Sequence, residues 1–285
     1  MRVDEHELKT LRELVEDAID TVQSDYYDSE VTVSSGNQRR LTLVESINSK
    51  SGHAIICEIK FASPSAGKIN DRHNEVSQIA REMESGGAAG LSVLTEHKNF
   101  SGSLANLRTA RISSSLPIIM KDIVVSSEQI RAAARLGANA ILLIQEVFSG
   151  DYAKLSISLQ GAIKLAKKEN LEVIVETHSE EGLLEVMKLD CDIIGINNRD
   201  LKTFKTSIDT TVNLLSQSSI VRSALRNRLI MSESGFESPT DITHLLTKLK
   251  DGDSPLPRVF LIGTSIMRSQ DIQGKVREFA KGFGG

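Results

Sequence analysis

One unit recurs from residue 54 to the end of the chain: a short run of Ile, Val and Leu, a polar turn, then a stretch with apolar residues at helical spacing. The apolar runs fall at residues 54–59, 90–94, 117–120, 140–144, 172–175, 192–196, 229–231 and 259–262. Helical stretches lie between them, for example at 76–84, 126–136, 152–168, 179–188 and 239–248. Strands that alternate with helices are joined by right-handed crossovers and so lie parallel. Runs that are apolar on nearly every residue belong to strands covered on both faces. Eight such strands close most simply into a (β/α)8 TIM barrel, with an open doubly wound sheet as the other arrangement that fits the count. The 285 residues, 40% of them hydrophobic, are enough for one such core. The division expected is an N-terminal helical extension at 1–50 and an α/β barrel at 51–285. Within the extension, 3–22 has helical spacing and predicts a helix across the barrel bottom or beside its mouth, and 23–39 reads as a polar connector.

The charge balance narrows the function. Thirty-four Lys and Arg against 38 Asp and Glu are mixed along the chain, without the basic block that marks a nucleic-acid footprint. No apolar run approaches the roughly 20 residues that a membrane helix needs. Met1 leads into a charged segment, so no signal peptide is read, and the expected location is the cytoplasm. Cys57 and Cys191 sit in apolar runs, where free Cys acts as a small buried hydrophobe. The six His residues have no ligand spacing, and no metal is expected. Gly137 and the Gly86–Gly87 pair read as helix-ending glycines.

In this architecture chemistry sits at the C-terminal ends of the strands. Glu58 and Lys60 lie on strand one, Glu96 after strand two, and Lys121 with Asp122 after strand three. Glu176 ends strand five, Asn197 and Arg199 follow strand six, and Glu233 with Ser234 follow strand seven. Lysines and carboxylates brought together in a partly dry mouth suit acid–base work, because burial and neighbours tune their pKa values. Ser234-Gly235 and Gly263-Thr264 occupy the two loops that commonly bind phosphate in this fold, where glycine lets the backbone approach an anion and helix N-termini offer free N–H groups. Thr264 or Ser265 is equally suited to capping a helix. The loop 62–73, with Gly67, is the natural lid.

Taken in order, Cys57-Glu58-Ile59-Lys60 with Ser63-Pro64-Ser65, Leu91 to Glu96 with Phe100 and Gly102-Ser103, Met120-Lys121-Asp122, Val175-Glu176, Gly195 to Leu201, Ser232 to Gly235, and Leu261-Ile262-Gly263 with Met267-Arg268 resemble the indole-3-glycerol phosphate synthases. The resemblance runs through nearly the whole barrel. It implies a reaction without metal or cofactor on a small phosphorylated substrate, 1-(2-carboxyphenylamino)-1-deoxyribulose 5-phosphate. The working form expected is a monomer or weak homo-oligomer. In those terms Lys121 is the acid for ring closure, Glu176 and Glu58 are acid–base carboxylates, and Lys60 binds substrate and assists dehydration. Ser63, Phe100, Asn197, Arg199, Glu233 and Ser234 orient the substrate, and Gly235, Gly263 and Thr264 hold its phosphate. Two positions depart from the family's common pattern: Phe61 stands where Arg is usual, and Ile123 where Phe is usual. A phosphoribosylanthranilate isomerase-like barrel would place Cys at the end of strand one, where this chain has Glu58 and Lys60. A catalytically silent barrel scaffold is the other alternative, since fold alone does not set function.

Overall fold

The computed structural model describes residues 9–28, 41–150, 152, 155–201, 203–251 and 254–281. Its barrel strands, numbered in chain order, are β1 (Ala54–Ile59), β2 (Gly90–Leu94), β3 (Ile118–Lys121), β4 (Ala140–Ile144), β5 (Glu172–Thr177), β6 (Ile193–Asn197), β7 (Leu229–Glu233) and β8 (Val259–Ile262). Each pairs in parallel with the next, and β8 returns to β1, with Cys57 opposite Ile262 on one side of β1 and Ile59 opposite Val93 on the other. The eight expected runs therefore form a closed barrel.

Side chains alternate across each strand, and in a closed sheet that alternation separates two apolar regions. Ile55, Cys57 and Ile59 point outward into a cluster shared with the surrounding helices. Ala54 and Ile56 point inward to a second cluster with Ile119, Leu142, Ile174 and Met231. The inward series continues up each strand, so that Glu58, Lys121, Glu176 and Glu233 complete the inner faces of β1, β3, β5 and β7.

The extension holds the one helix its pattern predicts and a second, Leu43–Asn48, that it did not, and the two take the two places left open for the first. Helix Leu11–Gln23 starts at Leu11, because Thr10 caps it and Glu13 bonds back to the Thr10 N–H at 2.6 Å. Its buried face is Leu11, Leu14, Val15 and Ala18, and it lies beside the mouth. The expected start at residue 3 falls outside the described residues, as does 29–39 of the connector. Helix Leu43–Asn48 closes the bottom, where its Leu43 and Ile47 pack with Ala54, Ala89 and Ala140.

One helical expectation was too long. Among the described residues of 152–168 the helix covers Leu159–Lys168, because Ser158 accepts the Gly161 N–H and caps the helix there; a separate short helix, Gln145–Ser149, follows β4 directly. Gly87 and Gly137 do end helices, at φ of 102° and 79°.

Candidate active site

Four inward side chains from alternate strands make one layer at the top of the barrel, the arrangement that strand tilt imposes on this fold. The Lys121 ammonium lies 2.6 Å from Glu233 Oε2, 3.5 Å from Glu58 Oε2 and 3.7 Å from Glu176 Oε2. Lys60, one inward step above Glu58, pairs with Glu58 Oε1 at 2.5 Å. Asn197 on β6 donates to Glu176 Oε1 at 2.7 Å. Lys121, Asn197 and Glu233 are thus the last residues of their strands, whereas the sequence pattern placed them just beyond; strand backbone holds them more rigidly than a loop would.

Burial penalises the charged form of each group, and the neighbours decide how far. Dehydration works against the Lys121 ammonium, but Glu233, Glu58 and Glu176 outweigh it and hold the lysine protonated above its ordinary range. Glu58 is buried too, yet Lys60 and Lys121 bring its carboxyl below the usual value. For Glu233 burial prevails over Lys121, and its carboxyl is raised. Among the described residues, Glu176 Oε2 and Glu233 Oε1 have no hydrogen-bond partner although both are buried. A polar atom left in that state is costly unless a ligand completes it.

Room for these acids is made by absent side chains. A Cβ at Gly195 would stand 2.7 Å from Glu233 Oε1, and one at Gly263 would stand 2.6 Å from Glu58 Oε1 and 3.2 Å from Lys60 Nζ. Gly263 was expected to serve an anion's approach; its nearest neighbours are the Glu58–Lys60 pair.

Above the layer opens a cavity of about 380 Å³, within the range of small-ligand sites. Glu58, Lys60, Ser63, Phe100, Lys121, Glu176, Asn197, Arg199, Ser234, Gly235, Gly263 and Thr264 all line it. Glu233 does not line it: fully buried beneath, it reaches the cavity only through Lys121. One flank is apolar, built from Leu11 and Leu14 of the N-terminal helix with Phe100, Ile123, Leu201 and Phe204. The helical leucines were not expected here, although the amphipathic stripe of 3–22 was their signal. The opposite flank holds Ser234 and Gly235, both at positive φ (68° and 88°), together with Gly263, Thr264 and the exposed Arg268. Neither Thr264 nor Ser265 is a cap: Gly263 takes that position, and the Ser265 hydroxyl donates to the Phe236 carbonyl at 2.8 Å, tying the β8 loop to the β7 loop. The helix after β8 is only four residues long, so the loops, more than a helix dipole, shape this end.

The loop after β1 folds into a small hairpin, Ala62–Ser63 against Gly67–Lys68, and its Ser65 hydroxyl meets the Arg199 guanidinium from the β6 side of the mouth. Phe61 stacks on His73 with ring centroids 4.1 Å apart and is buried in the outer core, so this departure alters packing and leaves the cavity untouched. Glu96, also a candidate, has its carboxylate occupied by the N–H groups of Lys98, Asn99 and Phe100 at 2.7–3.0 Å and organises the β2 loop.

Residues 7–279 match the family model of indole-3-glycerol phosphate synthase. A protein of that name from Methanocaldococcus jannaschii is 39% identical over 253 residues, 88% of this chain and 87% of its own length. One from Caldanaerobacter subterraneus subsp. tengcongensis is 38% identical over 80% of each. Among solved structures, a thiamine phosphate pyrophosphorylase from Pyrococcus furiosus superposes with a TM-score of 0.54 at 15% identity, over 80% of this chain and 94% of that one, a likeness of fold alone. The barrel is common to many enzymes, but a match through both its strands and its loops is not, and this chain belongs to the indole-3-glycerol phosphate synthase family.

Proposed function

We propose that this chain converts 1-(2-carboxyphenylamino)-1-deoxyribulose 5-phosphate into indole-3-glycerol phosphate, carbon dioxide and water, a carboxy-lyase step of tryptophan biosynthesis. One observation carries the reading: a buried ammonium faces three carboxylates at the floor of a cavity with one apolar flank and one glycine-rich flank. The aryl ring suits the wall of Leu11, Leu14, Phe100, Ile123 and Phe204, and the phosphate suits Gly235, Gly263, Thr264 and Arg268.

In ring closure, the aryl carbon bearing the carboxylate bonds to the ribulose carbonyl carbon, and the carbonyl oxygen takes a proton from Lys121. Three carboxylates hold that ammonium charged, so it yields its proton only to an oxygen made strongly basic by developing charge. The bond to the carboxylate then breaks, carbon dioxide leaves, and the released pair restores the aromatic ring. Dehydration follows: an acid protonates the departing hydroxyl while a base removes a proton from the carbon beside nitrogen. Lys60 and Glu58, paired at 2.5 Å, and Glu176, with an open Oε2, are the groups suited to that exchange. Asn197 orients Glu176, Arg199 and Ser63 sit at the hairpin side, and Glu233 tunes Lys121 from below.

We further assign 1–50 to an extension and 51–285 to the catalytic barrel, with a cytoplasmic monomer or weak homo-oligomer as the working form. Two buried free cysteines favour a reducing compartment, and among the described residues no helix is long and apolar enough to cross a membrane. The test is indole fluorescence on adding the substrate, read against a chain with no Trp. Turnover of phosphoribosylanthranilate without indole, or no turnover at all, overturns the proposal.

A further inference from the structure

Asp122 is a buried carboxylate with no place in the steps above. It follows Lys121 in sequence and borders the cavity, but its carboxylate turns away from the layer. Four neutral donors hold it: the Tyr27 hydroxyl at 2.9 Å and the Thr95 hydroxyl on Oδ2, and the Ile123 N–H at 2.8 Å and the Gln129 amide at 3.4 Å on Oδ1. Dehydration pushes its carboxyl up to about 6, while the Thr95 and Tyr27 bonds pull it down. One of these donors is remote: Tyr27 belongs to the extension, 95 residues away in sequence, and is only 2% exposed.

Its neighbour grips the same place. Tyr26 donates its hydroxyl proton to the Thr95 carbonyl at 3.2 Å and accepts the Leu104 N–H at 3.1 Å. Thr95 in turn donates its N–H to the Lys121 carbonyl at 3.0 Å while its hydroxyl bonds Asp122. Both tyrosines therefore end on the two residues, Thr95 and Asp122, that fix the backbone from which Lys121 projects. The helix that precedes them carries Leu11 and Leu14 into the apolar wall, and its Asp17 accepts from Asn99 at 3.0 Å in the β2 loop.

We propose that Tyr26 and Tyr27 are positioning residues, a latch through Thr95 and Asp122 that makes the seating of the N-terminal helix and the placement of the Lys121 ammonium a single event. The extension then does more than cover the mouth. Whatever unseats its helix also releases the end of β3, so an aryl wall and an acid out of register with each other do not persist. A shift of a fraction of an ångström in the acid is enough to matter for turnover.

The latch rests on the reading of Lys121 as the acid, and two measurements separate failure of one from failure of the other. Tyr27→Phe keeps the ring and removes one proton donor. Its kcat is expected to fall about tenfold, with KM changed less than threefold, because the cavity contacts stay while the acid moves. Asp122→Asn should give the same split, and the double variant should be no slower than Asp122→Asn alone, since both cut one connection. Leu14→Ala, which takes a wall contact and leaves the tyrosines, should instead raise KM. Independently of any reaction, the NMR signal of the Lys121 ammonium, assigned by its loss in Lys121→Met, should shift in Tyr27→Phe. A Tyr27→Phe protein with wild-type kcat and an unmoved lysine signal, whatever its melting temperature, overturns the latch. A wild-type chain that makes no indole overturns the reaction, and the lysine signal still decides the latch.

Discussion

Glu172 and Glu176 stand on one strand, four residues apart and on the same inner face, yet the barrel uses them for different ends. At the bottom, both oxygens of Glu172 are taken: they accept the N–H groups of Leu43 and Val44, the second at 3.0 Å, and so cap the helix that closes the barrel. At the top, Glu176 Oε1 accepts from Asn197, while Oε2 has no hydrogen-bond partner among the described residues and stands 3.7 Å from the Lys121 ammonium. A saturated carboxylate has nothing left to give a ligand. One that is buried, half-satisfied and beside an ammonium still has an acceptor oxygen to offer one. The same distinction separates Glu96, filled by three N–H groups, from Glu58, which shares two ammonium groups.

The comparison fails most visibly if the top of the barrel behaves like the bottom. Lys121→Met keeps most of the stem and removes proton and charge, so kcat should fall by roughly 10²- to 10⁴-fold in a folded protein. KM should change less, because the flank proposed for the phosphate lies on other loops. Steady-state kinetics with a thermal melt decide the matter: near-normal kcat with a lowered Tm would make Lys121 a structural ion-pair partner. Glu176→Gln retains shape and the Asn197 contact while losing the basic oxygen, and should reduce kcat by about 10²-fold. Wild-type turnover there would place Glu176 with Glu172.

Gly263→Val sharpens the contrast at intermediate size. Its Cβ would press on Glu58 and Lys60, and the residue itself stands on the flank proposed for the phosphate, so kcat and KM should both worsen, each by roughly tenfold. A change in KM alone would mean that the residue serves only the anion.

The smallest effect belongs to the bottom. Glu172→Gln should leave kcat within about twofold and cost about 1–2 kcal/mol of stability as one helix-capping bond is lost, a fall of a few degrees in Tm. Burial raises the Glu172 carboxyl above its ordinary value despite the N–H bonds. The unfolded chain therefore ionises first as pH rises, and the native state loses part of this residue's contribution above the normal carboxylate range. The Tm gap between wild type and Glu172→Gln should accordingly be wider near pH 4.5 than at pH 8. A large kcat loss in this variant would erase the distinction between the two ends.

Much of this was legible in the chain. Runs such as Ala140–Ile144, apolar at every position, need cover on both faces, and eight of them with intervening helices have few ways to close. Strand ends then pointed to Glu58, Lys60, Lys121 and Glu176, which do converge. Leu11 and Leu14 were legible as a buried stripe but not as a wall of the cavity, because helical spacing says which face is covered and is silent on what covers it. The role of Gly195 left no local signal at all, since the oxygen that needs its empty space sits on β7.

Adjacent residues mark the boundary between the two kinds of information. Asn197 and Asn198 are chemically identical neighbours, yet the first reaches Glu176 inside the barrel while the second bonds Ser232 and Thr211 outside it. Lys121 and Asp122 divide the same way, one into the cavity and one onto Tyr27. The sequence by itself determined the strands, their period of two and the chemistry available at their ends, because those depend on neighbours along the chain. Which ends share a layer and which carboxylates are left half-satisfied were decided by closure, and which remote tyrosines reach Thr95 and Asp122 was decided by the docking of the extension. Closure brings together residues as far apart as 58 and 233, and pKa, hydrogen-bond completion and cavity shape depend on distance in space.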